Sequence, residues 1–251
     1  MNPDKISIGN VPFTIFSFND AIAAISSQIL TGKHCIQVVV ANVYSVVLAN
    51  KDKEFCKICK SAEFVLPDGL PIVIFSRLLG KSLPHRIAGP DFMWNFSKEC
   101  VKRGFKVYLL GSEEPYLSIL KNNMERQFPG IEIVGTYSPP FGSWTDQETK
   151  KMINDINKSK ADILWLGVST PKQDKWIYSV KDKLHTKVAV AVGAAFDFHS
   201  GRVKRAPLWV QMIGFEWFHR FLQDPKRLWK RYLIGNVHFL WIMLGQIFHR
   251  S

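Results

Sequence analysis

The sequence predicts an α/β fold with a Rossmann-like, doubly wound and mainly parallel sheet. Short and almost wholly apolar runs, which suit strands covered on both faces, alternate with longer segments of helical periodicity. Strands and helices that alternate at this spacing form a parallel sheet through right-handed crossovers. The 251 residues suffice for one large domain of this kind, or for a domain with an appendage.

The first predicted element is an N-terminal hairpin from Ile6 to Ile15, because apolar residues alternate there around the turn pair Gly9-Asn10. Asn19 is placed to cap a helix that runs to about residue 30. Strands are predicted at 36–41, 63–66, 106–110, 131–136, 163–168 and 187–192, and those at 36–41, 163–168 and 187–192 have the pattern of buried strands. Helices are predicted between them, among others at 70–79, at 146–158 and from 172 onward.

An acidic residue, Asp68, lies between Pro67 and Gly69, at the end of one predicted strand and ahead of an apolar helix. It is placed to cap that helix, or to act as a catalytic base in a crevice at the sheet edge. The local sequence leaves both interpretations open. Arg86 follows in a later loop, where we expect it to be a spare cation.

A strand-to-helix junction spans residues 161–176, and its strand is broken at Gly167. Because Pro171 suits the first turn of a helix, Lys172 and Gln173 are expected at a helix N-terminus beyond the carboxyl end of a strand. Free amides, the helix dipole and the lysine charge favour an anion such as a diphosphate there. An ordinary turn with a solvated lysine explains the same residues.

Loops after other strands supply further candidate binding residues. Gly111 follows the strand at 106–110, and Tyr137 and Pro139 belong to a rigid aromatic loop that is able to stack on a nucleobase. Gly193 and Asp197 follow the last strand. All of these loops are expected at the carboxyl edge of the sheet, where open α/β sheets bind ligands.

The C-terminal segment has its own composition, and we predict a boundary between a core at 1–201 and an appendage at 202–251. This segment carries nine Lys and Arg against two acidic residues, out of a net charge of +12 for the whole chain. Its tryptophans are interleaved with Arg220, Arg227 and Arg231, whose spacing predicts one side of a helical array. This pattern suits a membrane surface, although a helical layer that merely covers the sheet would look the same.

Several classes of chemistry lack their motifs in this sequence. The Gly-x-Gly-x-x-Gly fingerprint, the Walker A loop, the Gly-x-Ser-x-Gly elbow and an Asp-x-Asp pair are all absent from the 251 residues. The four cysteines form no disulfide framework, and the single Cys56-x-x-Cys59 pair does not predict zinc binding. We therefore expect no cofactor and no metal, with cations in place of a metal ion for a diphosphate.

Three blocks of the sequence resemble those of the WecG/TagA/CpsF glycosyltransferases. They are Gly-Val-Ser-Thr-Pro-Lys-Gln-Asp-Lys-Trp at 167–176, the glycine- and phenylalanine-rich stretch at 192–207, and the aromatic, arginine-rich stretch at 214–232. The hairpin, Asn42, Asp68 and Arg86 also fall where that family has its blocks. The resemblance therefore covers nearly the whole chain.

The resemblance implies an inverting, metal-independent transfer of a sugar from a UDP-sugar to a polyprenyl-diphosphate-linked sugar. In that family the sugar is N-acetylmannosamine or a related hexose or uronic acid, used in bacterial cell-surface polysaccharides such as teichoic acid. It further implies a cytoplasmic, peripheral enzyme on the inner face of the plasma membrane, in a GT-E-like fold whose C-terminal appendage faces the membrane. Neither a nucleic-acid partner nor a cofactor is implied, and homo-oligomerisation is left open.

The resemblance also implies roles for individual residues. Asp68 matches the family's aspartate base, and Lys172 and Gln173 match its Pro-Lys-Gln block, with Gln173 as a contact to sugar or phosphate. The appendage is implied to close over the active site and to supply arginines. Val40 stands where the family has an active-site threonine, so sugar specificity does not carry over directly.

Two other classes of function remain compatible with the residues alone. A basic nucleic-acid binder would use the charge of +12, and a non-catalytic nucleotide-binding module would associate with membranes through the C-terminal segment. The first five residues are followed by no long apolar run, which predicts no signal peptide. The apolar stretch at 232–248 is interrupted by polar residues and is too short to span a bilayer.

Overall fold

A computed structural model of the chain describes residues 3–248, and Met1, Asn2 and residues 249–251 lie outside the described part. The fold is α/β, with an antiparallel hairpin and a six-stranded sheet in the order β4-β3-β8-β7-β5-β6. The strands are β1 (Lys5–Ile8), β2 (Val11–Thr14), β3 (Ile36–Ala41), β4 (Phe64–Pro67), β5 (Lys106–Gly111), β6 (Glu132–Tyr137), β7 (Ile163–Gly167) and β8 (Val188–Ala191). The predicted fold class, with its mainly parallel sheet and N-terminal hairpin, is confirmed.

Helices connect the strands and form most of the C-terminal segment. They are α1 (Phe18–Thr31), α2 (Val43–Lys51), α3 (Lys53–Ser61), α4 (Leu70–Leu78), α5 (Gly89–Arg103), α6 (Tyr116–Gln127), α7 (Asp146–Ser159), α8 (Lys172–Val180), α9 (Ala195–His199), α10 (Leu208–Met212), α11 (Glu216–Gln223), α12 (Pro225–Trp229) and α13 (Gly235–Phe248). A short 3₁₀ helix spans Lys181–Lys183, and a π-helix at Lys230–Ile234 joins α12 to α13. No helix within residues 3–248 is long and apolar enough to cross a membrane.

Most predicted elements lie within a residue or two of their predicted bounds, but the first helix differs. The prediction that Asn19 caps it is wrong, because α1 already begins at Phe18 and places Asn19 in the first turn. The side chain of Asn42, in contrast, does cap a helix. It accepts a hydrogen bond of 3.3 Å from the backbone N–H of Ser45 at the start of α2.

The chain divides into two compact units. The first comprises residues 1–18, 40–88 and 204–251, and the second comprises 19–39 and 89–203. The C-terminal segment therefore groups with the hairpin and with the residues around β4. The predicted boundary at residue 202 stays a prediction about domains.

In the first unit, the hairpin packs against the last helix of the described chain. The Gln246 side chain on α13 accepts a hydrogen bond of 2.7 Å from Gly9 N–H and donates one of 2.8 Å to Ser7 O. The rings of Phe75 on α4 and Phe239 on α13 meet edge to face at 5.2 Å between centroids. These contacts hold α13 against the hairpin turn and α4.

In the second unit, the strands β5, β7 and β8 are buried on both faces, as their apolar sequence predicts, whereas the edge strand β6 has no buried residue. On one face, Leu164 and Leu166 of β7 belong to a core cluster that includes Trp176 and Ile177 of α8. On the other face, Trp165 is fully buried against the aromatic rings of α5. This packing fixes the carboxyl end of β7 and the start of α8, where the predicted ligand-binding junction lies.

Candidate active site

Asp68 follows directly after β4, on a backbone that is held by neighbouring strand and loop residues. Its N–H donates to Ala41 O at 2.8 Å, and Ile87 N–H donates to Pro67 O at 2.7 Å. Gly69, with a φ of 140° that favours glycine, occupies the N-cap position of α4. Because no hydrogen bond of the Asp68 side chain is found within residues 3–248, the structure contradicts the interpretation of Asp68 as a helix cap.

Burial and surrounding charges act on the Asp68 carboxyl group in opposite directions. Burial raises its pKa from 3.8 to about 6, and the carboxylate of Glu216 adds to this rise. Arg86, Arg205 and Arg220 act in the other direction and favour the ionised form. The group therefore changes its charge close to neutral pH while several cations surround it, which is the condition that suits a general base.

Arg86 is not the spare cation that the sequence predicts. Its Nη1 lies 3.3 Å from Glu216 Oε2, and its Nη2 donates to Gln211 Oε1 at 3.1 Å. Arg205 pairs with the same carboxylate through its Nε, at 3.1 Å from Glu216 Oε1. Sequence analysis gave no role to Gln211 or to Glu216, although Glu216 lies in the resembling stretch at 214–232 and is one of two acidic residues in a strongly basic segment.

The three arginines that were predicted to share one side of the C-terminal array have different environments. Arg231 lies in the π-helix with its guanidinium buried over the ring of Tyr44, 4.4 Å from the ring centroid. Burial lowers the pKa of Arg231 and the charge of Arg220 lowers it further, whereas Tyr232, Tyr44 and Asp68 act in the opposite direction. Its Nε has no hydrogen-bond partner in the described part of the chain.

Arg227 differs from Arg220 and Arg231. Its side chain is 68% exposed, and its Nε lies 2.7 Å from Asp224 Oδ2. The structure therefore brings Arg220 and Arg231 into the charged surroundings of Asp68, whereas Arg227 faces solvent in an ion pair with its neighbour. Tyr44, which supports Arg231, is a further residue that sequence analysis missed. Nothing in its local sequence distinguishes it from an ordinary helix residue.

In the second unit, Gln173 joins the start of α8 to the loop after β8. It is buried, its Oε1 accepts from Gly193 N–H at 3.1 Å, and its Nε2 donates to Thr170 Oγ1 at 3.3 Å. Gly193 has a φ of 54°, the left-handed region that glycine favours. Pro171 occupies the N-cap position of α8 and supplies no side-chain cap.

Lys172 is only partly exposed, in contrast to the interpretation of its sequence as an ordinary solvated lysine. Its ammonium group lies 3.6 Å from the ring centroid of Trp144 and donates to the backbone oxygen of Gly142. Burial lowers the pKa of Lys172, and the nearby Glu148 acts in the opposite direction. The cation is thus held against the aromatic loop that begins at Tyr137.

The aromatic loop and the remaining strand-end residues have mixed environments. Tyr137 and Pro139 are half-buried, and the Lys151 ammonium lies 5.2 Å from the centroid of the Tyr137 ring. Asp197 Oδ1 lies 3.7 Å from Arg202 Nη1, within an ion pair. Gly111 and Gly167 face each other at neighbouring strand ends, and a Cβ atom at Gly111 would lie 2.4 Å from Gly167 O.

A buried acid beside Gln173 was not singled out from the sequence. Asp174 is 1% exposed, and burial raises the pKa of its carboxyl group to about 7, although a hydrogen bond from Thr170 acts in the opposite direction. Its Oδ2 has no partner among the described residues. Gln37 donates from its Nε2 to the Asp174 backbone oxygen at 2.9 Å. Among residues 3–248, no group of three or more His, Cys, Asp or Glu side chains is placed to hold a metal ion.

Comparison with known proteins places this α/β chain among the glycosyltransferases, in the hexosyltransferase class. It belongs to the glycosyl transferase WecG/TagA/CpsF family, whose model matches residues 6–251. The resemblance noted from the sequence blocks is thereby confirmed.

Three relatives carry the same name, N-acetylglucosaminyldiphosphoundecaprenol N-acetyl-beta-D-mannosaminyltransferase. The Bacillus subtilis protein is 28% identical over 227 residues, covering 90% of this chain and 86% of the relative. The Bacillus spizizenii protein is 33% identical over 196 residues, or 78% of this chain and 74% of the relative. The Staphylococcus aureus MW2 protein is 27% identical over 195 residues, or 76% and 73%.

Proposed function

We propose that the protein transfers N-acetylmannosamine, or a related hexose or uronic acid, from a UDP-sugar to a polyprenyl-diphosphate-linked sugar. The transfer proceeds with inversion and without a metal ion, and it serves the synthesis of a bacterial cell-surface polysaccharide. The names of the relatives support the lipid-linked acceptor and the transferred sugar. The donor nucleotide and the stereochemical course are further parts of the proposal.

The environment of Asp68 is the observation that carries this proposal. A single displacement at the anomeric carbon needs one group to remove the proton from the acceptor hydroxyl. A half-buried carboxyl group with a pKa of about 6, which makes no hydrogen bond to the rest of residues 3–248, is suited to that task. One such base without a covalent intermediate gives inversion.

Cations are the proposed partners of the negative charge that develops on the leaving UDP. In the first unit we assign this role to Arg220 and Arg231, because Arg231 keeps a buried Nε without a partner in the described chain. Arg227 and Arg86 remain predicted contributors. Lys172 and Gln173, at the start of α8, remain predicted contacts to sugar or phosphate.

We also propose that the segment from Arg202 onward contacts an anionic membrane surface on the cytoplasmic side. Its helices expose apolar side chains, among them Leu208, Trp209 and Met212, beside a net charge of +7. An amphipathic, basic surface of this type binds the interface of an anionic bilayer. A polyprenyl-linked acceptor is itself confined to that interface.

A two-stage experiment tests the proposed reaction. Thermal unfolding is measured with a panel of nucleotides and UDP-sugars, and we expect UDP and its matching sugar to stabilise the protein. Transfer is then measured from that donor to a prenyl-diphosphate-linked N-acetylglucosamine analogue, with and without a chelator. Activity that disappears with the chelator contradicts the metal-free mechanism, and stabilisation by UDP without any transfer contradicts the enzymatic assignment to this acceptor.

A further inference from the structure

Glu216, at the start of α11, is shared by two arginines. Its Oε2 lies 3.3 Å from Arg86 Nη1, and its Oε1 lies 3.1 Å from Arg205 Nε. All three side chains are largely removed from water, with exposed fractions of 17% for the glutamate and 21% for each arginine. This burial distinguishes the group from the exposed ion pairs of a protein surface, which contribute little.

A neutral residue completes the arrangement around Arg86. Gln211 accepts from Arg86 Nη2 at 3.1 Å, and its own amide donates to Ala206 O at 2.7 Å. Arg86 thus forms hydrogen bonds with two residues of the C-terminal segment, Gln211 and Glu216, which follow it by 125 and 130 positions in sequence. The guanidinium planes are fixed by these partners rather than free to turn.

The fixed arginines lie within the field of Asp68. Arg86, Arg205 and Arg220 favour its ionised form, and Glu216 opposes it. A guanidinium that is free to rotate forms a close ion pair with a neighbouring carboxylate, and such a pair makes the carboxylate a much weaker base. Binding Arg86 and Arg205 to a separate carboxylate prevents that pairing.

We propose that Glu216 is a positioning residue, which holds Arg86 and Arg205 away from direct pairing with Asp68 and so preserves Asp68 as a base. The arginines remain close enough to act on a negatively charged substrate. The proposal rests on the proposed function only in that Asp68 is the base. The effect of Glu216 on the Asp68 carboxyl group is measurable without any turnover.

Glu216→Gln tests this role with little change in shape. We expect the acidic limb of the kcat/KM profile, and the ¹³C NMR titration of the Asp68 carboxyl carbon, to move down by at least about half a pH unit. The NMR signal is assigned with Asp68→Asn. Glu216→Asp keeps the charge, and we expect it to restore most of the wild-type titration.

Gln211→Leu is the matched control, because it removes a hydrogen bond to the same arginine without a change in charge. If the Glu216 effect came only from loosening of the C-terminal segment, Gln211→Leu would shift the Asp68 titration equally, and the proposal would be overturned. An unchanged Asp68 titration in a folded Glu216→Gln protein overturns it as well. Because loss of the Glu216 charge alone lowers the Asp68 pKa, the double variant with Arg205→Gln is also titrated, and shifts that simply add overturn the positioning role.

Arg205→Gln keeps the proposal testable if Glu216→Gln does not fold. Loss of a cation that favours ionised Asp68 moves its titration upward, opposite to the Glu216→Gln shift. A downward shift or none contradicts the proposed arrangement. If transfer activity persists in Asp68→Asn, Asp68 is not the base. If the predicted NMR shifts are observed all the same, Glu216 still sets the ionisation of Asp68, so the two failures are distinguishable.

Discussion

At the scale of single residues, Asp68 combines a cost in folding stability with its proposed role as a base. A carboxyl group with a pKa raised to about 6 destabilises the folded state wherever it is ionised. Below about pH 4 the group is protonated in both the folded and the unfolded chain, so it contributes nothing to the free energy of unfolding. The penalty grows as pH rises through the window from about 4 to about 6.

Asp68→Asn removes both the penalty and the proposed base. We expect kcat to fall about 10²- to 10⁴-fold. We expect the free energy of unfolding to rise by about 1 to 3 kcal/mol at pH 8, with no gain at pH 3.5. Transfer assays and denaturant melts at the two pH values check both expectations. A variant that keeps most of its activity shows that Asp68 is not the base.

The buried Asp174 supports a second prediction at this scale. Its pKa, raised to about 7 mainly by burial, implies that the ionised form lowers stability as pH rises from about 4 to about 7. Asp174→Asn keeps an oxygen acceptor for Thr170 and removes the titration. We expect its stability relative to the wild type to be more favourable at pH 8 than at pH 4, by about 2 to 4 kcal/mol.

Urea melts at both pH values measure this difference. Asp182→Asn, in the exposed 3₁₀ helix, serves as the control because its side chain lies in water. If Asp174→Asn differs from the wild type by the same free energy of unfolding at pH 4 and at pH 8, the prediction is contradicted. It would mean that the buried carboxyl group does not titrate in this window.

The elements of the sheet were largely predictable, because burial on both faces leaves a local signature of continuous apolar residues. Strand β7, predicted at 163–168, spans Ile163–Gly167 in the structure. The C-terminal segment was less predictable. Its division into α10 to α13 and the π-helix depends on packing in the folded chain. The periodicity of the sequence does not predict where these helices begin and end.

The candidate site was predictable only where residue type and strand-end position coincide, as for Asp68. The pairing of Arg86 with Glu216 joins residues 130 positions apart, and no local pattern encodes it. The support of Arg231 by Tyr44 is another long-range contact. Such pairings arise from the tertiary fold, so a single sequence reveals the participants without their partners.

Close approach of neighbouring strand ends yields a prediction at the scale of elements. Gly111 has a φ of 135°, and a Cβ atom there would lie 2.4 Å from Gly167 O. Gly111→Ala therefore combines backbone strain with a clash between β5 and β7, and we expect a loss of at least about 2 kcal/mol in the free energy of unfolding.

Gly245→Ala is the matched comparison, because a Cβ atom in α13 at this position meets nothing within 4 Å. Alanine favours a helix over glycine by about 0.5 to 1 kcal/mol, so we expect a small stabilisation. Chemical denaturation of both variants checks the pair. If the two substitutions change the free energy of unfolding equally, the ends of β5 and β7 can move apart to accept a Cβ atom, and the prediction is wrong.

For the molecule as a whole, the distribution of charge and apolar surface links the C-terminal segment to the proposed membrane contact. Exposed apolar side chains are normal when they are single, whereas a cluster beside cations indicates an interaction surface. Leu208 and Met212 on α10 are 75% and 79% exposed. Leu30 on α1, 60% exposed, offers an apolar side chain outside this segment.

The double substitution Leu208→Ser with Met212→Ser removes apolar area from the proposed contact and leaves every charge in place. We expect it to weaken partitioning onto vesicles with 30% anionic lipid by about tenfold or more, since burying each side chain contributes about 1.5 kcal/mol or more. Leu30→Ser should partition like the wild type. Co-sedimentation at low and high salt separates the two contributions, because salt screens the attraction of the cations and leaves the apolar term. If the double variant and Leu30→Ser sediment alike at every salt concentration, α10 does not enter the bilayer interface, and the acceptor must reach the enzyme by another surface.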